Sequence, residues 1–251
     1  MSLISEKIVN ETIMSVYPKK EPACFLPIDV QDMYLFALSA ERKKAVSCGI
    51  AAFSGALKSF GVETIPVAMA TDFVKAGFYT RPFPDDFSAF PFLIDKNFFS
   101  VLLFSPEYFP EKSDAVYVKA ESNAFSSRLL PEKIEERGIK TVLIAGMNTT
   151  GCVYDSVIGA FEQCSEEVCF KIVYNLLADA NIYFRKREAD PLAHKRALEK
   201  KISAYLKNEG IISDRFSFVT SEQVLKQYAD PIKPLPKQGR SAGKKHRVPA
   251  A

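Results

Sequence analysis

The stretch from Gly138 to Val153, reading GIKTVLIAGMNTTGCV, constrains the fold more than any other part of the chain. Thr141 to Ala145 is a short apolar run with β-branched residues, bounded by Gly138 and Gly146. That combination suits a strand buried on both faces, as in the middle of a parallel sheet. Asn148, Thr149, Thr150 and Gly151 then supply turn and helix-capping residues. Val153, Val157, Phe161 and Cys164 recur at helical spacing and give the next segment one apolar face. The pattern predicts a buried strand, a polar turn and a helix, with Cys152 in the first turn of that helix. Unpaired N–H groups and the positive end of the helix dipole favour a thiolate there, and they could hold an oxyanion beside the sulfur. The competing reading is a cysteine that serves as a small buried hydrophobe.

The rest of the chain repeats this alternation. Ala23 to Val30 reads as a strand that delivers Asp29 and Gln31 at its carboxyl end. Asp29 is there either a functional carboxylate or a helix cap. A helix follows with Ile50, Phe53, Leu57 and Phe60 on one face and Gly61 as its C-terminal cap. Val62 to Ala70 is the second strand and Asp114 to Val118 the third, with Lys119 at its end. Pro131 opens a short helix that Gly138 closes. After the Cys152 helix come a strand over Glu167 to Tyr174, a charged helix over Pro191 to Lys207 and a last strand over Phe216 to Thr220. A short final helix starts at Ser221. Six strands alternating with helices predict an α/β fold: a doubly wound, six-stranded, mostly parallel sheet with helices on both faces.

At 251 residues the chain is long enough for one large domain with appendages. The expected organisation is an N-terminal helical extension over 1–22, the folded domain over 23–229 and a basic, disordered tail over 230–251. From Pro231 the tail carries six basic residues and no acidic one, more than the whole chain's net charge of +3. The body before it is therefore slightly acidic, which argues against nucleic-acid binding by the folded part. Residues 72–112 hold half of the chain's 20 Phe and five of its Pro. That segment is too apolar for a solvated loop and too Pro-rich for one regular element, and reads as a lid, a subunit interface or extra core. No apolar run reaches the roughly 20 residues of a membrane helix. Five cysteines without disulfide-framework or zinc spacing fit a reducing cytoplasm.

Three reactive side chains thus fall at the carboxyl ends of three strands: Asp29, Lys119 and Cys152. In a parallel sheet those ends share one edge, where ligands gather. A carboxylate can take the thiol proton, and an ammonium can lower the thiol pKa and stabilise the developing anion. Cationic residues past the second and fifth strands, Lys75, Arg81, Arg185 and Arg187, are candidates to clamp a substrate carboxylate.

At these positions the sequence resembles the isochorismatase-like cysteine hydrolases. Phe25-Leu26-Pro27-Ile28-Asp29-Val30-Gln31 is similar to the family's apolar run into Asp-x-Gln. Lys119 with Ala124-Phe125 and Leu130 beyond resembles its lysine motif, and Gly146 to Val153 its cysteine motif. Asp179-Ala180 matches a further Asp-Ala. The resemblance covers about Cys24 to Leu225. It implies a Cys152 nucleophile, an Asp29 base, Lys119 as electrostatic partner, and a cis peptide between Met147 and Asn148 that aims the N–H groups of Asn148 and Cys152 at an oxyanion. It also implies a homo-oligomer, a dimer or tetramer. Gln31, Phe125, Tyr79 and Arg81 are the candidate substrate contacts.

The nicotinamidase branch of that family holds a metal through an Asp-x-His motif. Here Asp72 is present but Val74 stands where the histidine belongs, and His194 and His246 lie far along the chain, His194 reading as a surface residue of a charged helix. The expectation is therefore no metal and no cofactor. The expected activity is hydrolysis of a small amide, ureido or carbamoyl-type C–N bond through a Cys152 thioester. Two other readings remain open: isochorismate-type vinyl-ether hydrolysis that uses Asp29 without the sulfur, and a non-catalytic binding protein on the same fold.

Overall fold

The computed structural model describes residues 21–35, 38–69, 77–79, 116–179, 190–211 and 213–229. All of these except Ala229 belong to one compact unit, Lys20–Tyr228. The expected N-terminal helix, the tail, nearly all of 72–112, and Lys75, Arg81, Ala180, Arg185 and Arg187 lie outside the described residues.

All six expected strands are present, in one sheet. They are β1 (Ala23–Ile28), β5 (Val116–Lys119), β6 (Thr141–Met147), β7 (Cys169–Ala178), β8 (Phe216–Val219) and a second strand split into β2 (Glu63–Thr64) and β3 (Val67–Met69). The split falls at Ile65-Pro66, where proline has no N–H to give to a ladder. One strand was not expected: β4 (Gly77–Tyr79), inside the Phe-rich stretch, pairs antiparallel with β5. Every other pairing is parallel. The order is β4-β5-β3-β1-β6-β7-β8, with β2 beside β1.

Helices cover both faces, and the strands read out the division residue by residue. Phe25, Ala68, Val118, Leu143, Ala145 and Val173 pack with Val46, Ile50, Phe53 and Leu57 of α2 (Ala40–Ser59) and Val224 of α6 (Ser221–Ala229). The alternate residues Cys24, Leu26, Ile28, Val142, Ile144 and Ile172 face the other way. They meet Leu130 and Ile134 of α3 (Leu129–Glu136), Val157 and Ile158 of α4 (Tyr154–Gln163), and Leu198 and Ile202 of α5 (Pro191–Asn208). This alternation is the period-two signature of a strand buried on both sides. A short helix, α1 (Asp32–Leu35), follows β1. Phe60, expected on the buried face of α2, is instead its exposed C-cap, with its ring 6.0 Å from that of Tyr228. The chain reverses one residue later at Gly61, whose φ of +76° suits glycine.

Gly146 is required for a different reason. Its φ is +127°, and a Cβ there would stand 2.0 Å from the backbone oxygen of Ile28 on the neighbouring strand. The pairing of β6 with β7 also slips at this point, from Ile144 opposite Ile172 to Gly146 opposite Leu177. Gly55, in the middle of α2, has open space around it and an ordinary φ. Gly146→Ala is therefore expected to destabilise by at least about 3 kcal/mol, from strain and clash together. Gly55→Ala should stabilise by about 0.5–1 kcal/mol, because alanine loses less backbone entropy in a helix. Urea unfolding of the two variants beside the parent chain measures both.

Candidate active site

Strands β1 and β6 lie side by side, with Ile28 opposite Gly146. The chain leaving β1 builds α2 on one face, and the chain leaving β6 builds α4 on the other. Their carboxyl ends therefore flank the crevice where connections diverge, the place ligands occupy in open α/β sheets. Asp29 is the first residue past β1 and Asn148 the first past β6. Among the described residues these two are the only non-glycines with positive φ, at 54° and 60°. Left-handed backbone at two adjacent strand ends stores about 1–3 kcal/mol each and turns both chains sharply out of the sheet.

Asp29 is held there by its own N–H, which donates to Val67 O at 2.8 Å. Lys119 ends β5, two strand positions away with β3 between. Strand spacing makes that about 9.6 Å, within the joint reach of a lysine and an aspartate side chain. Its Nζ lies 3.0 Å from Asp29 Oδ2 and donates to Ser122 O at 2.7 Å. Both residues are buried, 1% and 0% exposed. Cys152, 7% exposed, sits in an irregular turn over Thr149–Val153, kinked at Gly151 (φ −118°, ψ −106°), rather than in the first turn of α4. Its thiol lies close enough to the Asp29 carboxyl for each to shift the other's titration, and Asn148 Nδ2 points at its sulfur from 3.8 Å. The three expected residues thus converge.

Their electrostatics differ from the expectation of a preformed thiolate. Burial and the negative charge of Asp29 push the Cys152 thiol up to about 11, against the opposing pull of Lys119. Burial likewise raises the Asp29 carboxyl above its ordinary value, although Lys119 beside it acts in the other direction. Neither Asp29 oxygen has a well-aligned hydrogen bond from a neighbouring donor, so both retain acceptor capacity. Near neutral pH the Cys152 thiol is therefore protonated, beside the Asp29 carboxyl. The phenol of Tyr34 in α1 is raised too, first by burial and then by the negative charge of Asp29, which sets it near the same group.

The remaining candidates divide. Gln31 is fully buried, and its amide pairs with Met69 at both ends: Nε2 donates to Met69 O at 3.1 Å and Oε1 accepts from Met69 N at 2.8 Å. It braces β1 to β3. Phe125 is 1% exposed and packs in the same cluster as Cys152 and Val157. Tyr79 pairs through its main chain with Val116. Met147 ends β6 and is buried. Asp179 accepts from the hydroxyl and N–H of Thr150, at 3.2 and 3.4 Å, and so caps the turn that carries Cys152. His194 is a correction: it is 2% exposed, and its Nδ1 lies 3.2 Å from Thr149 Oγ1. Its spacing of four and eight from Leu198 and Ile202, the other buried residues of α5, was the signal.

Sequence reasoning also missed the brace between Lys119 and α4. Ser156 Oγ, fully buried in α4, accepts from Ala124 N at 3.0 Å and donates to Ser122 O. Gly159, one turn further, leaves room for the Asn123 side chain, which would meet a Cβ there at 2.2 Å. No three His, Cys, Asp or Glu side chains are grouped to hold a metal ion among the described residues, and Asp72 lies outside them.

Comparison with known proteins adds the family. Residues 23–163 match the isochorismatase domain. No curated protein matches the chain significantly. Among solved structures the chain resembles an isochorismatase-like hydrolase from Alkaliphilus metalliredigens, at 14% identity and a TM-score of 0.52, over 83% of this chain and 99% of that one. It also resembles N-carbamoylsarcosine amidase from Thermoplasma acidophilum, at 16% identity and 0.52, over 81% and 98%. An isochorismatase family protein from Burkholderia thailandensis matches at 15% identity and 0.54, over 84% and 98%. At these identities the likeness is one of fold.

The site's electrostatics predict the pH dependence of Cys152 alkylation. With the thiol at about 11, its iodoacetamide rate should climb about tenfold per unit across pH 7–10 and level only above that. Removing the neighbouring negative charge by Asp29→Asn should shift the profile to lower pH, and Lys119→Met should shift it to higher pH. Lys119→Met should also destabilise the fold by about 3–5 kcal/mol, since it strands a buried carboxylate. Peptide-resolved mass spectrometry separates Cys152 from the exposed Cys48 and Cys169.

Proposed function

This chain belongs to the isochorismatase family of hydrolases, and on that premise we propose that it is a metal-independent cysteine hydrolase of a small amide, ureido or carbamoyl compound. The observation that carries the reading is the contact set of Asp29, Lys119 and Cys152, delivered from the ends of β1, β5 and β6. Asp29 takes the Cys152 proton as the sulfur attacks the carbonyl carbon. Main-chain N–H groups of the turn, those of Asn148 and Cys152, receive the developing oxyanion. The tetrahedral intermediate then collapses: the C–N bond breaks, the nitrogen takes the proton from Asp29, and an acyl thioester remains on Cys152. Asp29 next draws a proton from water, whose oxygen displaces the sulfur and restores the thiol. Lys119 keeps the carboxylate ionised between these transfers. The likeness in fold to N-carbamoylsarcosine amidase supports a C–N substrate. Val74, in place of an imidazole ligand, supports the metal-free reading.

A second reading, vinyl-ether hydrolysis of the isochorismate type, draws support from the raised Asp29 carboxyl, which could protonate an enol ether. The reading further takes the protein to act in the cytoplasm as a homo-oligomer, with Tyr79, Arg81 and Phe125 toward the substrate.

A panel of N-carbamoyl, ureido and primary amide compounds tests the two against each other. For C–N cleavage, Cys152→Ala and Asp29→Asn should each lower kcat/KM at least about 10³-fold. An acyl adduct on Cys152 should be trapped by acid quench and detected by mass. Cleavage of an enol ether that survives Cys152→Ala but not Asp29→Asn would establish the second reading instead.

A further inference from the structure

The turn that carries Asn148 and Cys152 is anchored between them, at Thr149, which is fully buried. The Thr149 hydroxyl donates to Ala178 O at 3.1 Å and lies 3.2 Å from His194 Nδ1. A hydroxyl has one proton to give. With that proton on Ala178 O, the second contact is an N–H of His194 donating from Nδ1. A relay therefore runs from α5, through the turn, to the last residue of β7.

The position of His194 makes this bond informative. It occupies the buried face of α5 in line with Leu198 and Ile202, where a leucine would satisfy packing. An imidazole buried to 2% exposure costs free energy unless its polar atoms are engaged. Seven residues on, the same helix reaches the turn again from outside, where Lys201 Nζ donates to Thr150 O at 2.6 Å. Thr150 is also held by Asp179. The two threonines are thus clamped from α5 and β7, between a left-handed Asn148 and a Cys152 whose sulfur faces the Asn148 amide.

We infer that His194 is a positioning residue for the nucleophile: by donating to Thr149 it fixes the turn in the arrangement that brings the Asn148 amide onto the sulfur of Cys152. His194 acts through Thr149 and not on substrate. The inference rests on the reading of Cys152 as the nucleophile paired with Asp29.

The test is the pH profile of Cys152 alkylation by iodoacetamide in the full chain, for two pairs of variants. His194→Leu removes the donor at similar bulk, whereas His194→Asn keeps an N–H near the place of Nδ1. Thr149→Val removes the hydroxyl and Thr149→Ser keeps it. The two removing variants should each raise the apparent pKa by about 0.5 unit, which slows alkylation at pH 8 about threefold. The retaining variants should match the parent. The double variant H194L/T149V should shift no further than either single one, because both break the same bond. A folded His194→Leu protein with the parent profile overturns the inference, as does an additive shift in the double variant. If His194→Leu does not fold, an unshifted Thr149→Val profile overturns it alone. Asp29→Asn in the same assay separates the two levels. If Asp29→Asn moves the profile while His194→Leu and Thr149→Val do not, only the role of His194 fails. If Asp29→Asn leaves it unmoved, the pairing of Cys152 with Asp29 fails as well.

Discussion

A lysine ammonium and an aspartate carboxylate, 3.0 Å apart and almost wholly excluded from water, set the terms for everything at the carboxyl edge of this sheet. Neither charge could be buried alone, since the effective penalty is several kcal/mol per ion. The pair is tolerable only with excellent geometry and a further acceptor for the ammonium, which Ser122 O supplies at 2.7 Å. That requirement reaches outward. It fixes β5 relative to β1 across the short β3, and it fixes the loop after Lys119, whose carbonyl must point inward. The buried Gln31 amide, pairing with Met69, secures the intervening strand end.

The loop after Lys119 is in turn tied to α4, the helix that follows Cys152. Ser156 meets Ala124 and Ser122, and the missing side chain at Gly159 admits Asn123. A displacement of α4 would therefore reach Lys119 through Ser122 as well as Cys152 through the turn. The turn itself is held from the opposite side by α5 and the end of β7. Cys152 thus sits in a turn braced on both sides, through α4 and the loop after Lys119 and through α5 and the end of β7. Sites built in this way hold reacting groups more closely than loops can.

Much of this was legible in the residues. Apolar runs with glycine boundaries located the strands to within a few residues, because strands buried on both faces carry no polar alternation to confuse them. The convergence of Asp29, Lys119 and Cys152 was legible for a topological reason: each lies at or just past the carboxyl end of a parallel strand, and those ends share an edge. What escaped was whatever depends on packing across sequence distance. His194 sits in a helix rich in lysine and arginine, so its burial shows only once Leu198 and Ile202 are seen to share its face. Ser156 and Gly159 look like ordinary helix residues until Ala124 and Asn123 arrive from thirty-odd positions away. The strand β4 was hidden in a Phe- and Pro-rich stretch with no regular period. The state of the thiol was misjudged because helix dipole and ammonium are visible in sequence, whereas desolvation is not.

That last difference bears on how such a site can work. A thiol lowered into the neutral range is ionised at rest and open to any passing electrophile. A thiol held near 11 is unreactive by itself, yet once its proton moves, its sulfur is the stronger nucleophile for having the higher pKa. What it needs is a base in contact, itself ionised and short of other donors. Asp29 takes that part in the proposed reaction: burial raises its basicity, Lys119 favours its charged form, and its oxygens lack well-aligned donors. In the proposed reaction the proton leaves sulfur only as sulfur bonds to carbon, so the substrate completes the activation. The same burial that makes the ion pair costly to build then confines the chemistry to a molecule that fits against Cys152.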